Sequence, residues 1–241
     1  MPRMTVTLLA LSLLIAVTHS ATPAPPTVTL PTNATITGVW TELPTAAFHN
    51  LQFAASPIAN LRFAPPQHIP PSSTDVDATT RGEVCPQLDV HNNIFYGKEE
   101  DCLNLSVFTP DVAGSLPVMV WLFGGGFAVG DGTEFGLYEG TELTRKDVVV
   151  VTPNYRVGAL GFLASDHLAD TNFGLLDQRM ALHWVQENIH LFGGDPSRVT
   201  IMGQSAGAMS VCAHYANGKA SEGLFHAAIM QVSTTLRART N

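Results

Sequence analysis

Residues 198–208 read RVTIMGQSAGA. An apolar run of strand length ends at Gly203, Ser205 stands between two glycines, and the stretch after it, AGAMSVCAHYA (206–216), is helix-prone and opens with small residues. The pentapeptide Gly203-Gln204-Ser205-Ala206-Gly207 has two readings: a small-residue turn from strand to helix, or a nucleophile elbow. An elbow needs this setting. The turn is so tight that the flanking positions tolerate almost no side chain, and the serine oxygen is thrust clear of the sheet edge. The positive end of the following helix then faces the reaction centre. The strand before and the helix after favour the elbow, with Ser205 as candidate nucleophile.

Outward from this point the chain repeats the pattern. LNLSVFTP (103–110), PVMVWLF (117–123), DVVVVTPNYR (147–156), RVTIMG (198–203) and HAAIMQV (226–232) are apolar runs of strand length. Such runs suit strands buried on both faces, as in a mainly parallel sheet covered by helices. Between them, NFGLLDQRMALHWVQENIHLFGGDP (172–196) carries Leu176, Met180, Trp184 and Val185 at helical spacing. Gly193, Gly194 and Pro196 predict its end. Strands alternating with helices predict an α/β fold with a mixed, mostly parallel sheet and flanking helices. Residues 40–95, rich in Pro, Asn and Ser, predict irregular structure and small strands, with RFAPPQHIPP (62–71) as a proline-punctuated loop.

The 241 residues have room for one large domain or two modest ones, and 45% apolar content supports a substantial core. Net charge is −8 with only 12 Lys and Arg, scattered along the chain, which argues against nucleic acid or an anionic membrane surface as partner. Residues 1–20 read as a secretory signal peptide: Arg3, the apolar centre Leu8–Val17, then small residues near Ser20. That apolar run is about half of the ~20 residues a membrane span needs, so no transmembrane anchor is expected. Residues 21–36 form a Pro/Thr-rich exposed lead. Secretion makes a bridge between Cys85 and Cys102 possible, and closing that short loop would contribute about 3 kcal/mol. Cys212 is left over as a buried, inert thiol. With no paired C-x-x-C, no metal site is expected.

Acyl transfer also needs donors aimed at the developing oxyanion. WLFGGGF (121–127) is an apolar strand that stops at Gly124-Gly125-Gly126. A loop free of side chains can turn its N–H groups toward a substrate, each worth about 3–4 kcal/mol in the transition state. The Ala206 amide, just past the nucleophile, would be a further donor.

At this point the chain resembles the type-B carboxylesterases, the group that includes the cholinesterases and their non-catalytic adhesion relatives. The resemblance rests on EDCLNLSVFTP (100–110), VMVWLFGGGF (118–127), DVVVVTPNYRVGALGFL (147–163), GLLDQRMALHWVQENIHLFGGDPSRVTIMGQSAGA (174–208) and GLFHAAIMQ (223–231). It is close from about Glu83 to Gln231 and looser from Thr37 to Pro66. The resemblance implies an α/β-hydrolase fold, no cofactor, a small-molecule carboxylic ester as substrate and hydrolysis through an acyl-serine intermediate. It makes Ser205 the nucleophile, Gly125, Gly126 and Ala206 the oxyanion donors, and Cys85–Cys102 the family's first disulfide.

Several positions depart from the family. Gln204 stands where the family usually has glutamate, which removes a charge beside the catalytic imidazole. The loop PQLDVHNNIFYGKEED (86–101) lacks the tryptophan that holds a quaternary ammonium, and only Phe95 or Tyr96 could substitute, so choline esters are not expected. Ser106 replaces an asparagine and creates the sequon Asn104-Leu105-Ser106. Asn33-Ala34-Thr35, in the exposed lead, is the better glycosylation candidate.

A serine needs a base, and the base an orienting acid. Few residues follow Ser205. Glu222 and His226 stand in the right order, but their segment leads straight into a strand, so they are not expected to be the triad. His183, His190 and His214 read as structural. The family that the chain resembles runs well beyond this length, and the resemblance implies that residues 37–231 are the N-terminal part of a carboxylesterase domain, truncated after the elbow and the next strand, with a divergent tail at 232–241. Little turnover is expected of residues 21–241 alone. The alternative is a catalytically inactive secreted binding or adhesion protein of the same fold, its partner unknown.

Overall fold

The structure, a computed structural model, describes residues 23–89, 94–97, 99–133 and 138–231. The expected signal peptide, the tail 232–241 and the side chains of Phe95 and Tyr96 lie outside the described residues. Strands and helices are numbered in chain order, and the two short helices are α1 (Thr141–Thr144) and α2 (Gly158–Phe162). A small sheet joins β1 (Thr27–Thr29), β2 (Thr35–Thr37) and β5 (Val76–Asp77), and β6 (Gln87–Asp89) pairs with β7 (Ile94–Tyr96). Among the described residues the large sheet has seven strands. Across it lie β12 (Ala227–Gln231), β11 (Gly194–Gln204), β9 (Leu116–Leu122), β10 (Val149–Pro153), β8 (Asn104–Thr109), β4 (Ala46–Gln52) and β3 (Val39–Trp40).

The first four strands of that order pair in parallel, and β8, β4 and β3 add an antiparallel edge. The apolar runs become these strands because each buries its valines and leucines: every residue of β8 and β10 is inside. Their core packs against Ala181, Leu182 and Val185 of the helix α3 (Phe173–Asn188). The chain leaves β9 to form β10 on one side, then crosses to β11 on the other. Such a reversal of strand order opens a crevice at the carboxyl ends of the strands. The glycine loop follows β9, and Ser205 follows β11.

Four sequence expectations about the lead, the strands and the long helix are corrected. The lead 21–36 is not exposed throughout: Val28, Leu30, Ala34 and Ile36 are buried where β1 and β2 pair. The Pro/Asn/Ser-rich stretch contains a full sheet strand, β4, whose Ala46, Ala47, Phe48, His49 and Leu51 are buried. A register shift between Phe48 and Leu51, with Asn50 at φ 53°, breaks the alternation that would have revealed it. HAAIMQV is not buried on both faces: β12 is the outermost strand among the described residues, with Ile229 and Met230 exposed. In α3 the most buried stripe is Phe173, Gly174, Asp177, Gln178, Ala181, Leu182 and Val185, while Leu176, Met180 and Trp184 are half-buried. The helix ends at Asn188, and a 3-10 turn over Ile189–Phe192 closes at Gly193 with φ 78°.

Cys85 and Cys102 form a disulfide, both residues buried. Cys212 is free and half-buried, less enclosed than its helix-prone segment suggested. Among the described residues no helix is long and apolar enough to cross a membrane.

Candidate active site

Ser205 sits between β11 and the helix α4 (Ala206–Ala216) with φ 54° and ψ −121°. Such a backbone costs a residue with a β-carbon energy, and such residues gather at functional sites. The flanking glycines explain why the bend forms here. A Cβ on Gly207 would lie 2.0 Å from the Leu122 carbonyl oxygen, and one on Gly203 would lie 2.5 Å from the Gly207 carbonyl carbon. The turn is fixed further by Ser205 N–H donating to the Gln231 carbonyl at 3.0 Å and Met209 N–H donating to the Ser205 carbonyl at 3.0 Å. Ser205 is the N-cap residue of α4, yet its hydroxyl makes no capping bond, and no described side chain hydrogen-bonds it.

The glycine loop lies against this turn. A Cβ on Gly124 would come 2.9 Å from the Gln204 carbonyl oxygen and 3.3 Å from Ser205 Cβ. Gly125 and Gly126 follow with φ of 102° and 64° and face solvent. The Gly125 carbonyl accepts from Ala128 and Val129, both at 3.1 Å. Among the described residues, the N–H groups of Gly125 and Gly126 donate to nothing. Ala206, as the first residue of α4, has no partner for its N–H within the helix.

Long-range bonds that the sequence did not reveal anchor this loop. The Tyr155 hydroxyl donates to the Phe123 carbonyl at 2.6 Å, and the two rings stack 3.9 Å apart. Burial, and secondarily Tyr138, pushes the Tyr155 phenol far above its ordinary range, so it remains a donor. Gly132 N–H donates to Asn154 Oδ1 at 2.8 Å. Gln87 Nε2 donates to the Gly130 carbonyl at 2.9 Å, while Gly130 N–H donates to Gln87 Oε1 at 2.6 Å. Just after β10, Arg156 gives three hydrogen bonds to Asp177, and both side chains are buried. Burial pushes the Asp177 carboxyl up, and those bonds pull against it.

The histidines weighed in the sequence lie elsewhere. His226 Nδ1 accepts from Val199 N–H at 3.2 Å, at the start of the parallel pairing. Ser205, just past the end of β11, is six residues further along the chain, about 20 Å at strand rise. Glu222, His183 and His190 are exposed. His214 is buried with Nε2 3.0 Å from Gln178 Oε1, and burial lowers its pKa to about 4, with Arg179 adding to the shift. Unremarked in the sequence, His49 Nδ1 meets Ser106 Oγ at 2.9 Å, both buried. Asn104 is buried too, and its amide donates to the carbonyls of Glu83 and Cys102 at 2.9 and 3.2 Å. A glycan there would displace both bonds, whereas Asn33 is exposed in a turn at φ 67°. Among the described residues no three His, Cys, Asp or Glu side chains could jointly hold a metal ion.

The sequence pattern of the carboxylesterase family matches residues 24–240. A para-nitrobenzyl esterase of Bacillus subtilis (strain 168) is 44% identical over 192 residues, covering 75% of this chain and 38% of that protein. An acylcarnitine hydrolase of Mus musculus is 43% identical over 205 residues, covering 78% of this chain and 36% of that protein. A protein named crystal protein, of Dictyostelium discoideum, is 47% identical over 189 residues, 76% of this chain and 34% of that protein. The chain therefore spans little more than a third of the length of the curated relatives it matches. The solved structure of a thermophilic PNB esterase superposes with a TM-score of 0.75 at 42% identity, covering 85% of this chain and 43% of that one.

Proposed function

The chain belongs to the carboxylesterase family, and from that premise we propose that it carries the nucleophile and oxyanion donors of a serine carboxylic-ester hydrolase. Ser205 Oγ attacks the ester carbonyl carbon. Negative charge gathers on the carbonyl oxygen and takes hydrogen bonds from the amides of Gly125, Gly126 and Ala206. Collapse expels the alcohol and leaves an acyl-serine, which water then hydrolyses to release the acid. The observation that carries this reading is the Ser205 turn: a strained, uncapped serine with Gly124 packed on it and unpaired amides beside it. The Ser205 proton needs an acceptor, and none of the described side chains provides one at hydrogen-bond distance.

The substrate proposed is a small neutral carboxylic ester. No tryptophan lies between Cys85 and Cys102 to hold a quaternary ammonium, so choline esters are poor candidates. The buried disulfide fits an oxidising, extracellular compartment, and Asn33 is the proposed glycan site. One observation favours a second reading, a non-catalytic binding protein of the same fold: Ser205 Oγ has no base among the described residues.

A fluorophosphonate separates the two. The folded chain is expected to be labelled at Ser205, identified by peptide mass spectrometry, at least about a hundredfold faster than the urea-unfolded chain, since oxyanion donors alone give that factor. Ser205→Ala should abolish the label. Equal labelling of folded and unfolded protein overturns the hydrolase reading and leaves the binding protein.

A further inference from the structure

The loop from Gly124 to Gly130 carries the amides assigned to the oxyanion, and its far end is gripped by one side chain. The Gln87 amide bonds both the N–H and the C=O of Gly130, at 2.6 and 2.9 Å, as a neighbouring strand would. The second Nε2 hydrogen goes to the Cys85 carbonyl at 3.0 Å. Cys85 is itself tied by its disulfide to Cys102, at the head of β8. The grip bears directly on the glycine triplet: a Cβ on Gly130 would lie 2.6 Å from the Phe123 ring and 2.9 Å from the Gly124 carbonyl oxygen. Gln87 is buried, at 9% exposure, so removing its amide would strand these backbone groups away from water.

We propose that Gln87 is a positioning residue that sets the oxyanion loop against Ser205 by clasping Gly130, with the disulfide as its fixed reference. The inference rests on Gly125 and Gly126 serving as oxyanion donors. A loop held by glycines alone would sample many backbone states, and a displacement of about 1 Å at such donors costs on the order of a hundredfold in rate. The clasp removes that freedom without placing a side chain in the crevice.

The test uses the whole chain and two variants. Gln87→Met keeps the volume and removes all three bonds. It is expected to slow fluorophosphonate labelling of Ser205 about tenfold or more and to speed amide exchange at 124–130, with an unchanged circular dichroism spectrum. Gln87→Glu gives a readout that a merely structural role would not move. A neutral carboxyl can donate to Gly130 O and accept from Gly130 N–H, restoring the clasp; a carboxylate can only accept. The labelling rate of Gln87→Glu relative to the unsubstituted chain should therefore approach one below the carboxyl's titration and fall above it. This variant also decides the matter if Gln87→Met does not fold. Unsubstituted rates in the variants at all pH values overturn the proposal. If the unsubstituted chain is not labelled at Ser205, the hydrolase reading fails, and amide exchange alone judges the clasp: faster exchange at 124–130 in Gln87→Met sustains it, and unchanged exchange sinks it.

Discussion

Ser205 can hold its strained backbone because the two glycines around it leave no alternative packing. The positions differ in how hard they are pressed. At Gly207 all three nearest atoms to an added Cβ are backbone atoms, at 2.0, 2.8 and 2.8 Å, belonging to Leu122 and Phe123. Backbone of a central strand cannot step aside as a side chain tip can, so Gly207→Ala must push α4 off the end of β9. The expected cost is about 3 kcal/mol or more, read as a lowered urea midpoint with unchanged slope, together with loss of Ser205 labelling. Normal stability in Gly207→Ala would mean that the elbow is less tight than these contacts require. This part of the site was legible in the sequence because its cause is local: G-x-S-x-G states its own steric rule within five residues. Gln87, Tyr155 and Asn154 were not legible. Each acts on a loop residue between 22 and 43 positions away, and nothing in the spacing of an isolated glutamine, tyrosine or asparagine announces a partner that distant.

At the scale of elements, the same contrast separates β9, β10 and β11, read directly from apolar runs, from β4 and α3. In β4 the bulge at Asn50 shifts the period midway, so the alternating signal cancels. In α3 the buried stripe includes Asp177 and Gln178, which a hydrophobic pattern places outside. Both are buried because each meets a partner: Asp177 meets Arg156, and Gln178 bridges the seam to α4. Gln178 Nε2 donates to Ser210 Oγ at 3.0 Å, which leaves Gln178 Oε1 to accept from His214 Nε2 at 3.0 Å. His214 is therefore the neutral Nε2–H tautomer, and charging it inside the seam is opposed by burial. With a folded pKa of about 4 against 6.5 unfolded, the unfolded chain binds more protons between those values, so stability falls as pH drops. It is complete above about pH 6.5 and declines toward pH 4, by at most about 1.4 kcal/mol per pH unit. His49, lowered chiefly by burial and next by Arg81, with Glu139 opposing, adds a change of the same sign. Urea unfolding at pH 5 and pH 7 should lose part of this pH difference in His214→Gln while retaining the share from His49. Identical pH differences in the two proteins would remove His214 from the account.

At the scale of the whole molecule, the sheet is covered unequally. One face packs on α3 and α4, while the other leaves Met119, Trp121, Met202 and Ile229 around a mostly apolar hollow of about 370 Å³ that Glu139 also lines, with Trp121 Nε1 buried and without a partner among the described residues. Beside it runs β12, the outermost strand among the described residues, whose Ala227-Ala228-Ile229-Met230-Gln231 carries no charge and no proline. An apolar, uncharged edge beside an open apolar face is what natural sheets avoid, because its free N–H and C=O groups template pairing with another chain. The 241-residue chain is therefore expected to self-associate at micromolar concentration, seen by sedimentation velocity as mass rising with concentration. Ile229→Lys should shift it toward monomer by placing a charge where a second strand would dock. Tyr215→Lys is the control. Tyr215 is 67% exposed on α4, and the same added charge there reduces the magnitude of the net charge of −8 without touching β12, which should leave association unchanged or strengthen it. A concentration-independent monomer in the unsubstituted chain would refute the edge as the cause, and equal relief by both substitutions would show that association does not run through β12.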